Sequence, residues 1–215
     1  MAKLSTVTVI AAAVAAYRTN GNSIITAPKE GSPQLPNRML VDAILGEKQE
    51  AITVTEDDIT QAHAIVNGLQ QRGMIAGLKG SKVSEFSGRI IEIANHEEMQ
   101  AYNIGVMVWA PKLHTDMQQA DSHQHEFNML AFGSKYVGKV KDKIEIDFTP
   151  IVVRYNTHFN VWRHTGHDGH GNLVGFMKKD KIEGTTRIKG CVKSQDHSRY
   201  TNGKTTTLNY VKVIK

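Results

Sequence analysis

The chain has 215 residues, of which 40% are apolar, and a formal net charge of +5. This composition excludes a disordered chain and is sufficient for one large domain or two small ones. Lysine and arginine number 10 against 14 acidic residues over positions 1–133, but 16 against 7 over positions 134–215, which gives net charges of −4 and +9. The basic carboxy-terminal part favours a phosphate-bearing partner, with a merely solvated basic surface as the alternative.

The amino-terminal segment and the single cysteine bear on localisation. Residues 4–16 are apolar, but they lack a strongly positive leader and an A-x-A cleavage site, and they are too short to span a bilayer. We therefore interpret them as an ordinary helix. Cys191 has no partner for an internal disulfide, which favours a reducing compartment. These features predict a cytoplasmic protein without membrane contact.

Helical patterns dominate the first part of the chain. Residues 5–18 are alanine-rich and have Ser5 available as an N-cap, although β-branched residues near the start leave a strand there as an alternative. Residues 19–36 collect Asn, Gly, Ser and Pro, which predicts a loop that could act as a mobile arm. A second helix is expected at residues 37–45, before Gly46.

The clearest helix signal begins at Thr55. Thr55 suits an N-cap, the acidic residues 56–58 occupy the first turn, where the helix dipole favours negative charge, and apolar residues then recur at helical spacing. We expect this helix to fray at Gly73. A further helix is predicted at residues 85–94.

The next segment carries mixed signals. Residues 97–110 favour a helix slightly over a helix followed by a strand, and Pro111 is expected to end it. Residues 115–130 are polar and histidine-bearing, with a short apolar end that could dock on a core. We place a domain boundary near Gly133, where the charge balance changes sign, so that residues 1–132 form an α-rich domain.

Strand patterns follow at short intervals after this boundary. A glycine-rich turn at 166–172 and a charged connector at 178–184 separate them. The predicted strands are residues 143–154, with an edge or bulge at Pro150, then 158–163, 173–177, 185–193 and 204–214.

The last two runs have the signature of a β-hairpin with Asn202-Gly203 in its polar turn segment. Ile188 and Val192 share one face of the first run, while Arg187, Lys189 and Lys193 share the other. Five strands with a gap between the third and fourth match the plan of an oligonucleotide-binding barrel. The expected fold class is therefore α+β, with this barrel at residues 133–215.

Motifs in the barrel region resemble those of a known protein class. They are G-S-K-Y-V-G at 133–138, D-x-x-G-N-L-V at 168–174, I-K-G-C-V-K at 188–193 and Y-x-N-G-K-x-T-x-L at 200–208. Together they resemble the carboxy-terminal half of bacteriophage and mobile-element single-stranded DNA-binding proteins with an oligonucleotide-binding fold. The resemblance covers residues 133–215 only.

The resemblance implies an accessory role in DNA replication, recombination or repair, in the cytoplasm of the host cell. Single-stranded DNA is the implied ligand, and phage or host replication and recombination proteins are partners that the amino-terminal domain could contact. That domain could also form oligomers. Recruitment through an acidic tail is not expected, because the sequence ends Val-Lys-Val-Ile-Lys.

Single-strand binding requires cations for the backbone and aromatic rings for the bases. Trp162 beside Arg163 is the leading stacking candidate, because the second and third strands usually form the binding face. For Phe159 and Phe176 core packing is an equal alternative, and Phe148 is assigned to the core, with Tyr210 as a further aromatic candidate. The predicted site residues are Arg154, Tyr155, Phe159, Trp162, Arg163, Phe176, Lys178, Lys179, Lys189, Lys193, Arg199, Tyr200 and Lys204.

Enzyme and metal chemistry find little support in the sequence. His164, His167 and His170 recur at every third residue, but they flank a glycine-rich turn and no C-x-x-C is present, so no metal is expected. Phosphate-loop, dinucleotide, nucleophile-elbow, zinc-protease and deaminase motifs are lacking, so neither an enzyme nor a cofactor is expected. The alternatives are a nuclease built from scattered acids, a structural or adaptor protein of a virion or replisome, and an RNA-binding protein.

Overall fold

The computed structural model describes residues 3–28, 31–46, 52–80 and 83–214. The chain divides into two compact units, residues 1–118 and residues 119–215. The first unit is mainly helical and the second contains a closed barrel, so the predicted α+β class is confirmed.

The first unit combines helices with one small antiparallel sheet, formed by β1 (Lys3–Ser5) and β2 (Glu98–Gln100). A 3-10 turn at Ala101–Asn103 follows β2. The helices are α1 (Thr6–Thr19), α2 (Asn37–Leu45), α3 (Glu56–Lys79), α4 (Glu85–Ala94), α5 (Ile104–Met107) and α6 (Ala110–Ala131). The part of α6 from Gln119 onward belongs to the second unit.

The helix α1 is the centre of the first unit's core. Residues 9–16 are all buried, and α2, α3 and α5 pack against the helix. Alanine side chains allow this close approach because they add nothing beyond the Cβ atom. An α-helix that is apolar on every side is buried, in a protein core or in a membrane. Among the described residues, no helix has the length and apolarity that a membrane crossing requires.

Thr55 caps α3 as predicted. The Thr55 hydroxyl accepts a hydrogen bond from the Asp58 backbone N–H at 3.2 Å, and the Asp58 carboxylate accepts one from the Thr55 N–H at 2.9 Å. Arg18 of α1 donates two further bonds to the same buried carboxylate, at 3.0 and 2.8 Å. The hydrogen bond from Arg18 lowers the pKa of Asp58, although burial opposes this.

Two predicted helix ends are wrong. The helix α3 does not fray at Gly73 but continues to Gly80, which ends it with a left-handed φ of 59°. Pro111 lies in the first turn of α6 and therefore begins a helix, because a first-turn residue needs no intrahelical N–H bond. The single helix favoured for residues 97–110 is also wrong, since this segment contains β2, the 3-10 turn and α5.

The second unit contains a five-stranded closed barrel with the order β3-β4-β5-β7-β6. All neighbours pair antiparallel except β5 and β7, which are parallel, and β6 returns to pair with β3. This is an oligonucleotide-binding-like barrel. Its strands are β3 (Lys143–Asn156), β4 (Val161–Asp168), β5 (Leu173–Lys178), β6 (Thr186–Ser198) and β7 (Gly203–Val213).

The strand β4 is displaced from its predicted position. Residues 157–160 form a turn, and the strand runs on through Gly166 to Asp168, where a turn was expected. The register of β3 against β4 shifts between Pro150 and Val152, as the predicted bulge requires. A Cβ atom on Gly166 would lie 2.0 Å from the Thr149 carbonyl oxygen, so glycine permits this close strand approach.

The buried carboxylate of Asp168 organises the turn after β4. It accepts hydrogen bonds from the backbone N–H of His170 at 2.9 Å and from the backbone and side-chain N–H of Asn172 at 2.8 and 3.0 Å. The turn is therefore confined to residues 169–172. Asp168 therefore has a structural role, because these hydrogen bonds satisfy its buried carboxylate.

The connector between β5 and β6 contributes a side chain to the barrel core. Ile182 is buried in the barrel core, and its backbone N–H donates to Nε2 of His164 at 3.0 Å. The His164 ring is buried and stacks on Phe176, with centroids 4.8 Å apart. Burial lowers the pKa of His164, and an interaction with the backbone of Trp162 opposes this shift.

The end of α6 packs on the outside of the barrel. Phe127 is buried with Val152 and Leu173, and a Cβ on Gly203 would lie 2.7 Å from the Cβ of Ala131. This packing confirms that the apolar end of the polar segment docks on a core. The φ of Gly203 is not in the left-handed region, so its backbone conformation does not require glycine. Glycine is needed here because a side chain would collide with α6.

Candidate functional site

A groove crosses the outside of the barrel over β4, β5, β7 and the end of β6. It has a volume of about 480 Å³, and its lining includes Arg163, Met177, Lys193, Tyr200, Asn209 and Tyr210. Arg163 and Met177 are direct cross-strand partners, so they project from the same face of β4 and β5. The groove therefore combines cationic, aromatic and apolar groups with the carboxylate of Asp196.

Two arginines share one aromatic ring at the edge of this groove. Arg154 of β3 and Arg163 of β4 are directly opposite in the register, and each guanidinium carbon lies 5.7 Å from the centroid of the Tyr200 ring. Tyr200 lies in the turn between β6 and β7 and packs on Phe127, with centroids 5.5 Å apart. This packing against Phe127 holds the Tyr200 ring in place.

The guanidinium groups of this pair carry like charges on directly opposite strand positions. In the part of the chain that the structure describes, neither Arg154 nor Arg163 forms a salt bridge with a carboxylate. Like charges directly opposite on paired strands destabilise a sheet, and the cation–π contacts with Tyr200 oppose this effect. An anion placed between the two guanidinium groups would remove the repulsion.

Trp162 lies on the opposite face of β4 from Arg163, because successive strand residues alternate. The Trp162 ring packs against Tyr155, with centroids 5.0 Å apart, and Lys181 lies 5.4 Å from its centroid. The structure therefore does not bring Trp162 to the face that carries Arg163. The ring is partly exposed, and its stacking role stays a prediction.

The phenylalanines divide between core and surface. The rings of Phe148 and Phe176 are buried in the barrel, with centroids 4.8 Å apart. The assignment of Phe148 to the core is confirmed. A base-stacking role for Phe176 is wrong, because only 2% of this residue is exposed. Phe159 is 61% exposed in the β3–β4 turn, so it remains a candidate outside the groove.

The predicted lysines are dispersed over the barrel. Lys178 forms a salt bridge with Asp180, and Lys189 bonds Glu145 at 2.7 Å on the β3–β6 side. Lys193 lines the groove. The other predicted cations, all exposed, are Lys179, Arg199 and Lys204, the last of which lies 5.9 Å from the Tyr136 ring centroid.

Met177 and Asn209 line the groove but were not predicted from the sequence, and Tyr210 was predicted only as a candidate aromatic residue. The register that pairs Met177 with Arg163 would have identified the first, but the pairing itself is not visible in the sequence. No sequence signal identifies Asn209. Tyr210 reaches the groove through a local irregularity of β7 that the alternating pattern conceals.

The three histidines of β4 and its turn do not converge. His164 is buried in the barrel, Nδ1 of His167 contacts the Asp168 carbonyl oxygen at 2.7 Å, and His170 is exposed. Within the described ranges, no three histidine, cysteine or acidic residues are grouped to hold a metal ion.

No family model, curated protein or solved structure matches this chain. Because folds of this kind carry many functions, the function has to be argued from the groove itself.

Proposed function

We propose that the barrel binds single-stranded DNA along the groove. The observation that supports this most directly is the pair of facing arginines, Arg154 and Arg163, which lie over one ring and have no carboxylate partner among the described residues. A backbone phosphate between them would convert a repulsive pair into two charge-assisted hydrogen-bonded contacts. Lys193 in the same groove adds a third cation for an adjacent phosphate.

The shape of the groove favours single strands over duplexes. A duplex is read by a helix or a β-ribbon that enters its groove, whereas a concave surface with exposed apolar side chains accepts unstacked bases. Met177 and Tyr210 supply such side chains beside the cations. The proposed role is that of the phage and mobile-element single-stranded DNA-binding proteins, which are accessories of DNA replication, recombination or repair.

The test is a titration of a fluorescently labelled thymidine oligonucleotide with the full chain. We expect a Kd in the micromolar range or below at about 50 mM salt, and clearly weaker binding at about 200 mM salt, because phosphate contacts release counterions. An unlabelled duplex and an oligoribonucleotide of the same sequence serve as competitors. Absence of binding to single strands at low salt would overturn the proposal.

Two matched variants test the arginine pair. Arg163→Gln removes one proposed phosphate contact and should weaken binding about tenfold and reduce the dependence on salt by about one charge. Arg187→Gln is the control, since Arg187 is an exposed arginine of β6 opposite Asp147 and is not a groove residue. Equal effects of the two substitutions would show that only the overall charge matters.

A further inference from the structure

An irregularity in β7 displays the side chain of Tyr210. Lys212 pairs with Lys189 and Asn209 pairs with Cys191, so Tyr210 and Val211 together oppose the single residue Gly190. This is a β-bulge, a feature that is enriched near functional sites and changes the direction of a side chain.

The bulge places Tyr210 in a backbone conformation that costs free energy. Its φ is +54°, in the left-handed region, where glycine is favoured and a bulky residue is rare. Gly190 makes room for the bulge, because a Cβ there would lie 3.2 Å from Val211 Cγ2 and 3.3 Å from Leu208. Strain of this kind persists where the surrounding structure imposes it and often marks a ligand-binding position.

The bulge packs Val211 on the core and leaves the strained Tyr210 at the surface. Strict alternation from the buried Leu208 would turn Tyr210 inward, but the bulge turns Val211 to the core instead and leaves Tyr210 83% exposed. Among the described residues, its ring contacts no other aromatic ring and no cation. The ring borders the groove next to Asn209.

We infer that Tyr210 is a stacking platform for one nucleobase of the strand bound in the groove, and that the left-handed bulge is retained to present it. This inference rests on the proposed function, because it assigns to the same groove a contact with a base in addition to the contacts with phosphates. A tyrosine ring is suited to this role, since every base has a π face and stacking needs no particular sequence.

The experiment combines two ligands with three variants of the full chain. The ligands are a thymidine oligonucleotide and an abasic deoxyribose-phosphate strand of the same length. Tyr210→Gly should weaken binding of the thymidine oligonucleotide at least about fivefold more than it weakens binding of the abasic strand. The same variant should raise the melting temperature by about 2 °C, because glycine tolerates the left-handed conformation. Tyr210→Phe keeps the ring and should retain the preference for bases.

The control is Tyr102→Ala, which removes an exposed tyrosine from the first unit and should leave both affinities unchanged. The inference is wrong if the unsubstituted chain binds the thymidine oligonucleotide and Tyr210→Gly binds it equally well. In that case the proposed function still stands. If the original chain binds neither strand, the proposed function itself fails.

Discussion

Gly166→Ala tests the close approach of β3 and β4 at the bulge of Pro150. The added Cβ would lie 2.0 Å from the Thr149 carbonyl oxygen and 2.8 Å from the Pro150 Cα, both backbone atoms that cannot rotate away. Since unbonded heavy atoms prefer about 3.5 Å, the two strands must separate by roughly 1.5 Å. Loss of about two ladder hydrogen bonds, together with the overpacking, should destabilise the barrel by about 3–4 kcal/mol.

Gly175→Ala is the matched control on the neighbouring strand β5. A Cβ there would lie 3.6 Å from the His164 carbonyl oxygen, which is an ordinary contact. The free energy of unfolding should change by less than about 1 kcal/mol, with a gain from the reduced entropy of the unfolded chain.

The assay is urea unfolding followed by the fluorescence of Trp162. The chain has two tryptophans, so a Trp109→Phe background leaves a signal from the barrel alone. We expect the midpoint of Gly166→Ala to lie far below that of Gly175→Ala. Similar midpoints for the two variants would refute the bulged register of β3 against β4.

Three further predictions concern buried charge and helix contacts. Burial lowers the pKa of His164, so below about pH 6.5 the unfolded chain binds more protons than the folded barrel. The free energy of unfolding should therefore decrease as the pH is lowered through this range, and it should decrease less in His164→Gln. Arg18→Ala leaves the buried carboxylate of Asp58 unpaired and should cost about 2 kcal/mol, against under about 0.5 kcal/mol for the exposed Arg38→Ala; equal costs would contradict the burial argument. Gly203→Ala should push the end of α6 off the barrel and cost about 2 kcal/mol in thermal unfolding, whereas no change would show that this contact is loose.

Local chemistry made several elements predictable. The capping box of Thr55 lies within four residues, and Gly46 follows the last helical residue of α2, so both signals are contained in short windows of sequence. The alternation of Ile188 and Val192 with Lys189 is also local, and the structure confirms that the first two are buried and the third is exposed. The strand plan of the barrel followed from such patterns.

The remaining features depend on residues that are distant in sequence. Gly166 suggested a turn, but its function is to permit the close approach of Thr149 on another strand. Trp162 and Arg163 were grouped because they are adjacent, yet the pleat of the strand separates them. Tyr210 reached the groove through a bulge set by its pairing with β6. None of these contacts can be read from one segment alone.

The parallel pairing of β5 with β7 has a consequence for how the barrel assembles. The β3–β4, β4–β5 and β6–β7 pairs connect through short turns or a short linker, whereas β5 and β7 are separated by the whole of β6. Such non-local pairings form late, because the chain loses the entropy of loop closure before their contacts stabilise it. Until then Phe176 and Leu208 lie on open edges that another chain can complete. At high concentration the expected by-product of refolding is therefore a domain-swapped dimer that exchanges the β6–β7 hairpin.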